Sequence, residues 1–298
     1  MTTLRPLPAT MRAVVLTGHG GFDRLELRDD VPVPQCGPED VLIRVAAAGV
    51  NNTDINTRIG WYSKAVAEPT ESGAATGLAG AKDDGWSGTP FHFPRIQGAD
   101  ACGHIVAVGQ NIDAKRLGER VLVEPVFRTG TGFDVEYFGS EVDGAFAEYG
   151  LMHDDEVHAK PECLSWAQAA SSTITYATAH DTLMVQGHLK AGEWVLVTGV
   201  TSGVGVASLQ LAKALGARVI GTSGSAEKLA RLQSLGLDVA LHTRGPGMAQ
   251  GALAATGPKG VDVAVLTVGG SVLDECIQAL GFEGRLGVMG YVDGMVTP

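Results

Sequence analysis

The run Val197-Thr198-Gly199-Val200-Thr201-Ser202-Gly203-Val204-Gly205 joins the apolar stretch Trp194–Val197 to an amphipathic stretch that begins at Val206. Glycines in such a turn let the main chain approach a pyrophosphate closely, while the first N–H groups and the dipole of the following helix point at the anion. The chemistry expected of Gly199, Thr201, Ser202, Gly203, Val204 and Gly205 is therefore dinucleotide binding. In such folds an acidic side chain about twenty residues further on holds the ribose hydroxyls of NAD. Here that position reads Thr222-Ser223-Gly224-Ser225-Ala226-Glu227-Lys228, and no Asp or Glu ends the strand. Hydroxyls of Ser223 and Ser225 around Gly224, with the Lys228 ammonium and Arg231, suit a 2′-phosphate through charge-assisted hydrogen bonds, so NADP is the expected cofactor. The competing reading makes Ser225 a helix N-cap and Lys228 a solvated first-turn residue.

These residues need a strand-helix series to hold them, and the second half of the chain supplies one. Strands are expected at Trp194–Thr198, Arg218–Thr222, Val239–Leu241, Val261–Leu266 and Arg285–Met289, with helices over Gly203–Leu215, Ala226–Leu235 and Ser271–Leu280. Such alternation gives a doubly wound parallel sheet of the α/β class. By the switch-point rule, Val268, Gly269 and Gly270 after the fourth strand, and Gly290 and Tyr291 after the fifth, lie along the nicotinamide half of the cofactor. The first half has a different rhythm. Short β-like runs at Arg12–Leu16, Val41–Ala47, Gly103–Val108, Arg120–Val123 and Ala145–Leu151, separated by Gly and Pro, predict a mostly antiparallel barrel or sandwich. Residues 62–93, rich in Gly, Ala, Ser and Thr, read as a long loop with one short helix, and such loops serve as lids or stay mobile. The irregular stretch 127–143 carries Phe133, Tyr137 and Phe138 and is a candidate cleft border. The expected domains are 1–165 for substrate and 166–298 for the dinucleotide.

With 298 residues and 45% hydrophobic content, the chain is long enough for two ordinary cores. A net charge of -11 disfavours nucleic acid or an anionic membrane as partner, leaving a small molecule. Cys36, Cys102, Cys163 and Cys276 form no Cys-x-x-Cys pair, which suits reduced thiols and a cytoplasmic location. The N-terminal segment, broken by Pro6 and Pro8, reads as neither a signal peptide nor an anchor.

Thr198-Gly199-x-x-x-Gly203-x-Gly205 also spells the signature of short-chain dehydrogenases, but that signature opens its domain and is followed by a Tyr-x-x-x-Lys pair. Here it comes late, and no Tyr stands between Tyr176 and Tyr291. An ordered set of stretches instead resembles the medium-chain dehydrogenase/reductase superfamily, in particular its zinc-free quinone oxidoreductase and enoyl reductase branch. They are Met11-Arg12-Ala13-Val14-Val15, Asp40-Val41-Leu42-Ile43-Arg44-Val45, the run from Ala48 to Asn56, the run from Gly98 to Gly109, Gly118-Glu119-Arg120-Val121 and Gly144-Ala145-Phe146-Ala147-Glu148-Tyr149, followed by the glycine turn.

The resemblance implies a chaperonin-ten-like (GroES-like) β-barrel domain joined to a Rossmann domain. Positions that hold catalytic zinc in alcohol dehydrogenases of the superfamily correspond to Asn51, Ala99 and Ile174, none a good zinc ligand, and the four-cysteine lobe for structural zinc is missing. No metal is expected, and His153 and His158 read as ordinary histidines. Without a Lewis acid the natural hydride acceptor already carries a conjugated carbonyl, as in quinones and enones. The run Asn51–Tyr62 is similar to the segment of enoyl thioester reductases ending in Gly-x-Tyr, which makes Tyr62 the candidate acid; a phenol is neutral at pH 7 and can protonate an enolate. Its alternative is packing beside Trp61. The resemblance further gives Asn51 a hydrogen bond to cofactor or substrate, against a structural role at the strand end, and sets Thr178 near the nicotinamide, against helix capping or packing.

The expected function is NADPH-dependent reduction of a quinone or enone without zinc. Its alternatives are an enoyl thioester reductase, an alcohol dehydrogenase with displaced zinc ligands, and a non-catalytic nucleotide-binding relative. In the superfamily a further helix, a sixth strand and a return segment follow the last strand seen here, so the chain reads as shortened or truncated at its C-terminus. A homodimer built on that sixth strand would lose its edge.

Overall fold

A computed structural model of the protein describes residues 1–82, 84–128 and 135–294. Phe133 lies outside the described residues. The chain divides into two compact units, one formed by Met1–Glu68 with Ser72–Ile174, the other by Pro69–Glu71 with the chain from Thr175 onward. Residues 166–174 cluster with the first unit rather than with the nucleotide half to which the sequence reading assigned them. The reason is local: Trp166, Ala169 and Ala170 pack on Cys102, Ala47 and Leu122, and Ile174 N donates to Asp100.

In the first unit the main antiparallel sheet runs in the order Tyr149–His153, Asp40–Gly49, Asp100–Val108, Arg120–Val123, Val157–Ala159, with Thr2–Thr3 added to Asp100–Val108. A second sheet orders Leu25–Pro32, Thr10–Leu16 and Arg95–Ile96. The Asp40–Gly49 strand joins two cores because its alternate residues face opposite ways. Val41 and Ile43 pack with Ile105, Val121 and Phe138, whereas Leu42 packs with Met11, Ala13 and Val15. The expected strand Ala145–Leu151 starts later, at Tyr149. Its first residues bond across to Gln97, Gly98 and, through an Ala13–Ala147 bridge, to Thr10–Leu16.

The second unit is a parallel sheet ordered Val239–His242, Arg218–Ser223, Trp194–Val197, Val261–Leu266, Leu280–Val288. This 3-2-1-4-5 order is doubly wound, with its switch point beside Trp194–Val197. Period-two alternation divides the side chains between two layers. Val195, Val197, Val219, Val263 and Val265 pack with Leu209 and Leu229, while Leu196, Ile220, Ala264 and Leu266 pack with Met248, Ala252 and Cys276. The observed helices are Gly203–Ala214, Ala226–Leu232, Met248–Thr256 and Val272–Ala279, preceded by Thr173–His180 and a turn of π-helix at Asp181–Gln186. Among the described residues no strand pairs with the outer edge of Leu280–Val288, where Phe282 is almost fully exposed.

Candidate functional site

In the first unit the site is organised by the helix Asn52–Ile59. It starts at Asn51, whose N–H donates to the Asp54 carboxylate at 2.7 Å, closing a capping box, and it ends at Gly60 in the left-handed conformation. That ending turns the chain so that Trp61 N still reaches Asn56 O at 2.9 Å, and Tyr62 comes back over the first turn. The Tyr62 hydroxyl lies 2.7 Å from Thr53 Oγ1. Buried Arg58 holds the helix in place, donating from Nη1 to Gly20 O at 2.6 Å and from Nη2 to Ala74 O at 2.8 Å. Trp61 meets the Tyr62 ring edge-on at 5.5 Å, so the packing contact expected as the alternative role of Tyr62 coexists with the hydroxyl pair.

Asp100, almost fully buried, is the hub of the three positions that the resemblance matched to zinc ligands. Its carboxylate accepts from Asn51 Nδ2 at 2.9 Å, from Ile174 N at 2.8 Å and from the Thr173 hydroxyl, while Ala99 precedes it in the chain. The Asn51 amide thus spends one of its two N–H donors on a carboxylate of the same unit. Desolvation raises the Asp100 pKa, and the hydrogen bonds from Asn51, Thr173 and Ile174 pull it back. Asp54 is pushed up to about 6, first by desolvation, against the pull of the Asn51, Gly98 and Ala99 N–H groups and with the push of Asp100. Burial likewise pushes the Tyr62 phenol up to about 12, so it carries its proton at every physiological pH. Among the described residues no group of three or more His, Cys, Asp or Glu side chains could hold a metal ion. A cavity of about 670 Å³ in the same unit is lined by residues such as Met11, Pro32, Ile96, Leu151 and Glu156, with none of Asn51, Thr53 or Tyr62 on its wall.

The Asp54 shift has a consequence for stability. A carboxyl whose folded pKa lies above its unfolded value of 3.8 binds its proton more tightly when folded, so stability falls as pH rises from about 4 to 6. The size, for a carboxyl raised from 3.8 to about 6, is about 3 kcal/mol. Urea unfolding should show the native chain losing that much relative to Asp54→Asn between pH 4 and pH 7. Parallel stability curves for the two proteins would refute it.

In the second unit the glycine turn follows Trp194–Val197. Ser202 caps the helix by accepting from Gly205 N at 3.1 Å, leaving the N–H groups of the first turn directed outward as helix geometry requires. A side chain at Gly205 would put its Cβ 2.4 Å from Gly199 O and 2.7 Å from Val200 backbone, so the turn closes only without one. Thr201 Oγ1 and Ser223 Oγ are 2.9 Å apart and tie the turn to the next strand. Ser225 accepts from Lys228 N at 3.3 Å and is the helix N-cap, while Arg231 pairs with Glu227. Lys228 is exposed. Thr178 gives its carbonyl to the Thr182 hydroxyl at 2.9 Å. After the fourth strand, Val268 O accepts from Asp293 N, and Gly270 N donates to Gly294 O. A Cβ on Gly269 would fall 2.8 Å from Tyr291 Cα, and one on Gly290 2.3 Å from Thr267 O, so the two post-strand turns pack on one another's backbone.

Arg244 is a cation the sequence reading missed. Its guanidinium lies over Gly224, with Nε 2.5 Å from where a Cβ would stand, and the His242 ring nitrogen Nε2 is 3.2 Å from Gly224 O. Parallel register sets Ser223 beside His242 and so brings residues about twenty apart together. No local spacing announces that. Thr53 and Asp100 were visible only as letters of longer runs, because their roles depend on partners far along the chain.

The chain matches the family model described as the alcohol dehydrogenase GroES-like domain over residues 37–162, and that of the zinc-binding dehydrogenase over 203–297. It is 32% identical to a quinone oxidoreductase of Homo sapiens over 280 residues, covering 94% of this chain and 73% of that protein. It is also 32% identical to prostaglandin reductase-3 of Bos taurus, covering 98% of this chain and 66% of that one. A solved NAD-dependent alcohol dehydrogenase superposes with a TM-score of 0.81 at 30% identity, covering 97% of this chain and 78% of that one. No helix among the described residues is long and apolar enough to cross a membrane. With a GroES-like half, a doubly wound half turning on Gly199–Gly205 and relatives of this kind along nearly its whole length, the chain belongs to the medium-chain dehydrogenase/reductase superfamily, in its quinone oxidoreductase branch, and is an oxidoreductase that uses a nicotinamide cofactor and a small-molecule substrate.

Proposed function

We propose that the protein reduces a conjugated carbonyl compound, a quinone or an enone, with NADPH and without zinc. The observation that carries this reading is the Tyr62–Thr53 hydroxyl pair beside an Asn51–Asp100 hub, in the place where zinc-dependent relatives put a metal. An amide, a methyl and an aliphatic side chain at positions 51, 99 and 174 are poor zinc donors, and the nearby Asp100 carboxylate is already engaged by three hydrogen-bond donors. The bound cofactor would supply a hydride to an electrophilic carbon. The work of the residues is then to stabilise and protonate the resulting enolate or quinol oxyanion. In this reading Thr53 is the donor of its 2.7 Å pair with the Tyr62 oxygen, which leaves the phenolic proton free to pass to that oxyanion, and solvent returns it. Asp100 anchors Asn51 at the head of the helix and so fixes the register of Thr53 above Tyr62.

The choice of NADPH rests on the missing carboxylate after Arg218–Ser223 and on two cations, Arg244, whose guanidinium lies against Gly224, and exposed Lys228 in the first turn of the following helix. Gly199, Val204, Gly205 and Ser202 cradle the pyrophosphate in this reading. Ser225, occupied as an N-cap, contributes less to the 2′-phosphate than Arg244 does. Replacing both Lys228 and Arg244 by Ala should raise the Kd for NADPH about a hundredfold, since each charge-assisted bond is worth about 1.5 kcal/mol or more. The Kd for NADH should barely move, and equal losses for the two coenzymes would reject the assignment. NADPH oxidation measured with 1,4-benzoquinone and with crotonyl-CoA decides between the quinone reading and the thioester one that Gly60-Trp61-Tyr62 also suits. Failure with both acceptors removes both, and about one zinc per chain in protein purified without added metal removes the zinc-free mechanism. Tight NADPH binding with no turnover would instead favour a non-catalytic relative.

A further inference from the structure

Two irregular segments, 84–90 in the long loop and 137–142 beyond the barrel strands, are locked together by one carboxylate. Glu141 Oε1 accepts from Ser87 N at 2.9 Å and from Ser87 Oγ at 2.8 Å, and its Oε2 accepts from Tyr137 N at 3.1 Å. Trp86 N adds a bond to Ser140 Oγ at 3.0 Å. Within this clasp the indole of Trp86 stacks on the Tyr137 ring, centroids 4.9 Å apart and planes within 20°.

The two rings differ in exposure. Tyr137 is 4% exposed, whereas Trp86 is 39% exposed although one of its faces is covered by Tyr137, so the open area belongs to its other face and edges. The Tyr137 phenol, raised first by burial, also feels Tyr62 and Thr53, the two members of the hydroxyl pair, which puts the platform beside the candidate acid. An indole stacked on a buried ring, on a backbone pinned by the Ser140 and Glu141 bonds, has little side-chain freedom left to lose, so a planar ring that lands on it meets a preformed surface. Offset stacking of aromatic rings contributes about 0.5–1.5 kcal/mol beyond the area it buries.

We infer that Trp86 is a specificity-determining residue: its open face stacks on a planar ring of the substrate and selects conjugated carbonyl compounds that carry a bicyclic or larger aromatic system over compact aliphatic enones. The inference rests on the reductase reading of the site that holds Tyr62. Residues 84–90 are then no bare spacer but one wall of the substrate site, set in place by Glu141.

The test compares kcat/KM for 1,4-naphthoquinone with kcat/KM for but-3-en-2-one, NADPH being saturating, and adds calorimetric binding of 1,4-naphthoquinone without turnover. In Trp86→Ala the selectivity ratio should fall about tenfold and the naphthoquinone Kd should rise by a similar factor. Trp86→Tyr should restore most of both, whereas Trp86→Leu, equally apolar but without a ring, should not. An unchanged ratio and Kd in Trp86→Ala, or a Leu variant that behaves like the native chain, overturns the inference. Naphthoquinone binding that depends on Trp86 in a protein that never oxidises NADPH would sink the reductase reading and leave the stacking surface standing.

Discussion

Replacing Tyr62 by Phe should lower kcat with the preferred quinone or enone about a hundredfold, while the Kd for NADPH moves less than about twofold; removal of a positioned acid typically costs a factor of about 10² to 10⁴. The fold should survive, because Phe retains the edge-on contact with Trp61 and gives up only the hydroxyl with its hydrogen bonding. Thr53→Val should reproduce part of the loss, since on the proposed reading it removes the donor that leaves the Tyr62 proton free. The double variant should fall little below Tyr62→Phe alone, as expected of residues that act as a unit. Because burial pushes this phenol up to about 12, the native kcat should stay flat from neutral pH to about pH 10 on this group's account. Full turnover by Tyr62→Phe would end the acid role and return Tyr62 to a packing residue.

Gly205→Ala should abolish measurable NADPH binding, raising Kd at least about a hundredfold in calorimetry. The new methyl carbon would fall 2.4 Å from Gly199 O and 2.7 Å from Val200 Cα and C, and all three are backbone atoms. Nothing flexible can yield, so the turn itself must open, and with it the array of N–H groups aimed at the pyrophosphate. The contrast is Ser202→Ala, which removes only the N-cap bond to Gly205 N. It should cost about 1 kcal/mol of stability in thermal unfolding. Native NADPH affinity in the Gly205→Ala variant would show that the pyrophosphate lies elsewhere.

Much of the Rossmann unit was legible in the chain because its signals are short-range. Period-two runs such as Val195, Val197 against Leu196 name the two faces of a strand, Ser202 and Ser225 sit three residues before the N–H they cap, and Gly205 lies within one turn of the oxygen it must clear. The first half was harder to read. Its strands pair antiparallel across long separations, Asp40–Gly49 with Asp100–Val108 and Tyr149–His153, so element boundaries such as the late start at Tyr149 are decided by partners, not by neighbours. The long loop drew its expected lid or mobile character from Gly and Ala content alone. In the fold it is tied by Trp61 Nε1 to Glu68 O at 3.1 Å, by Lys82 N to Ser63 Oγ at 2.9 Å and by the Glu141 clasp.

What the amino-acid order by itself determined is the nucleotide turn, the alternation that builds a parallel sheet around it, the lack of zinc-binding side chains at positions 51, 99 and 174, and the Gly-x-Tyr ending of the first helix, since each is written in short runs and enforced by backbone sterics or side-chain chemistry. Only the tertiary structure decided that Asp100 gathers Asn51, Thr173 and Ile174, that Arg244 lies on Gly224 and that Trp86 covers Tyr137. Those meetings join residues from about 20 to more than 70 positions apart. Sheet register and buried hydrogen bonding set them, and neither is encoded by local spacing.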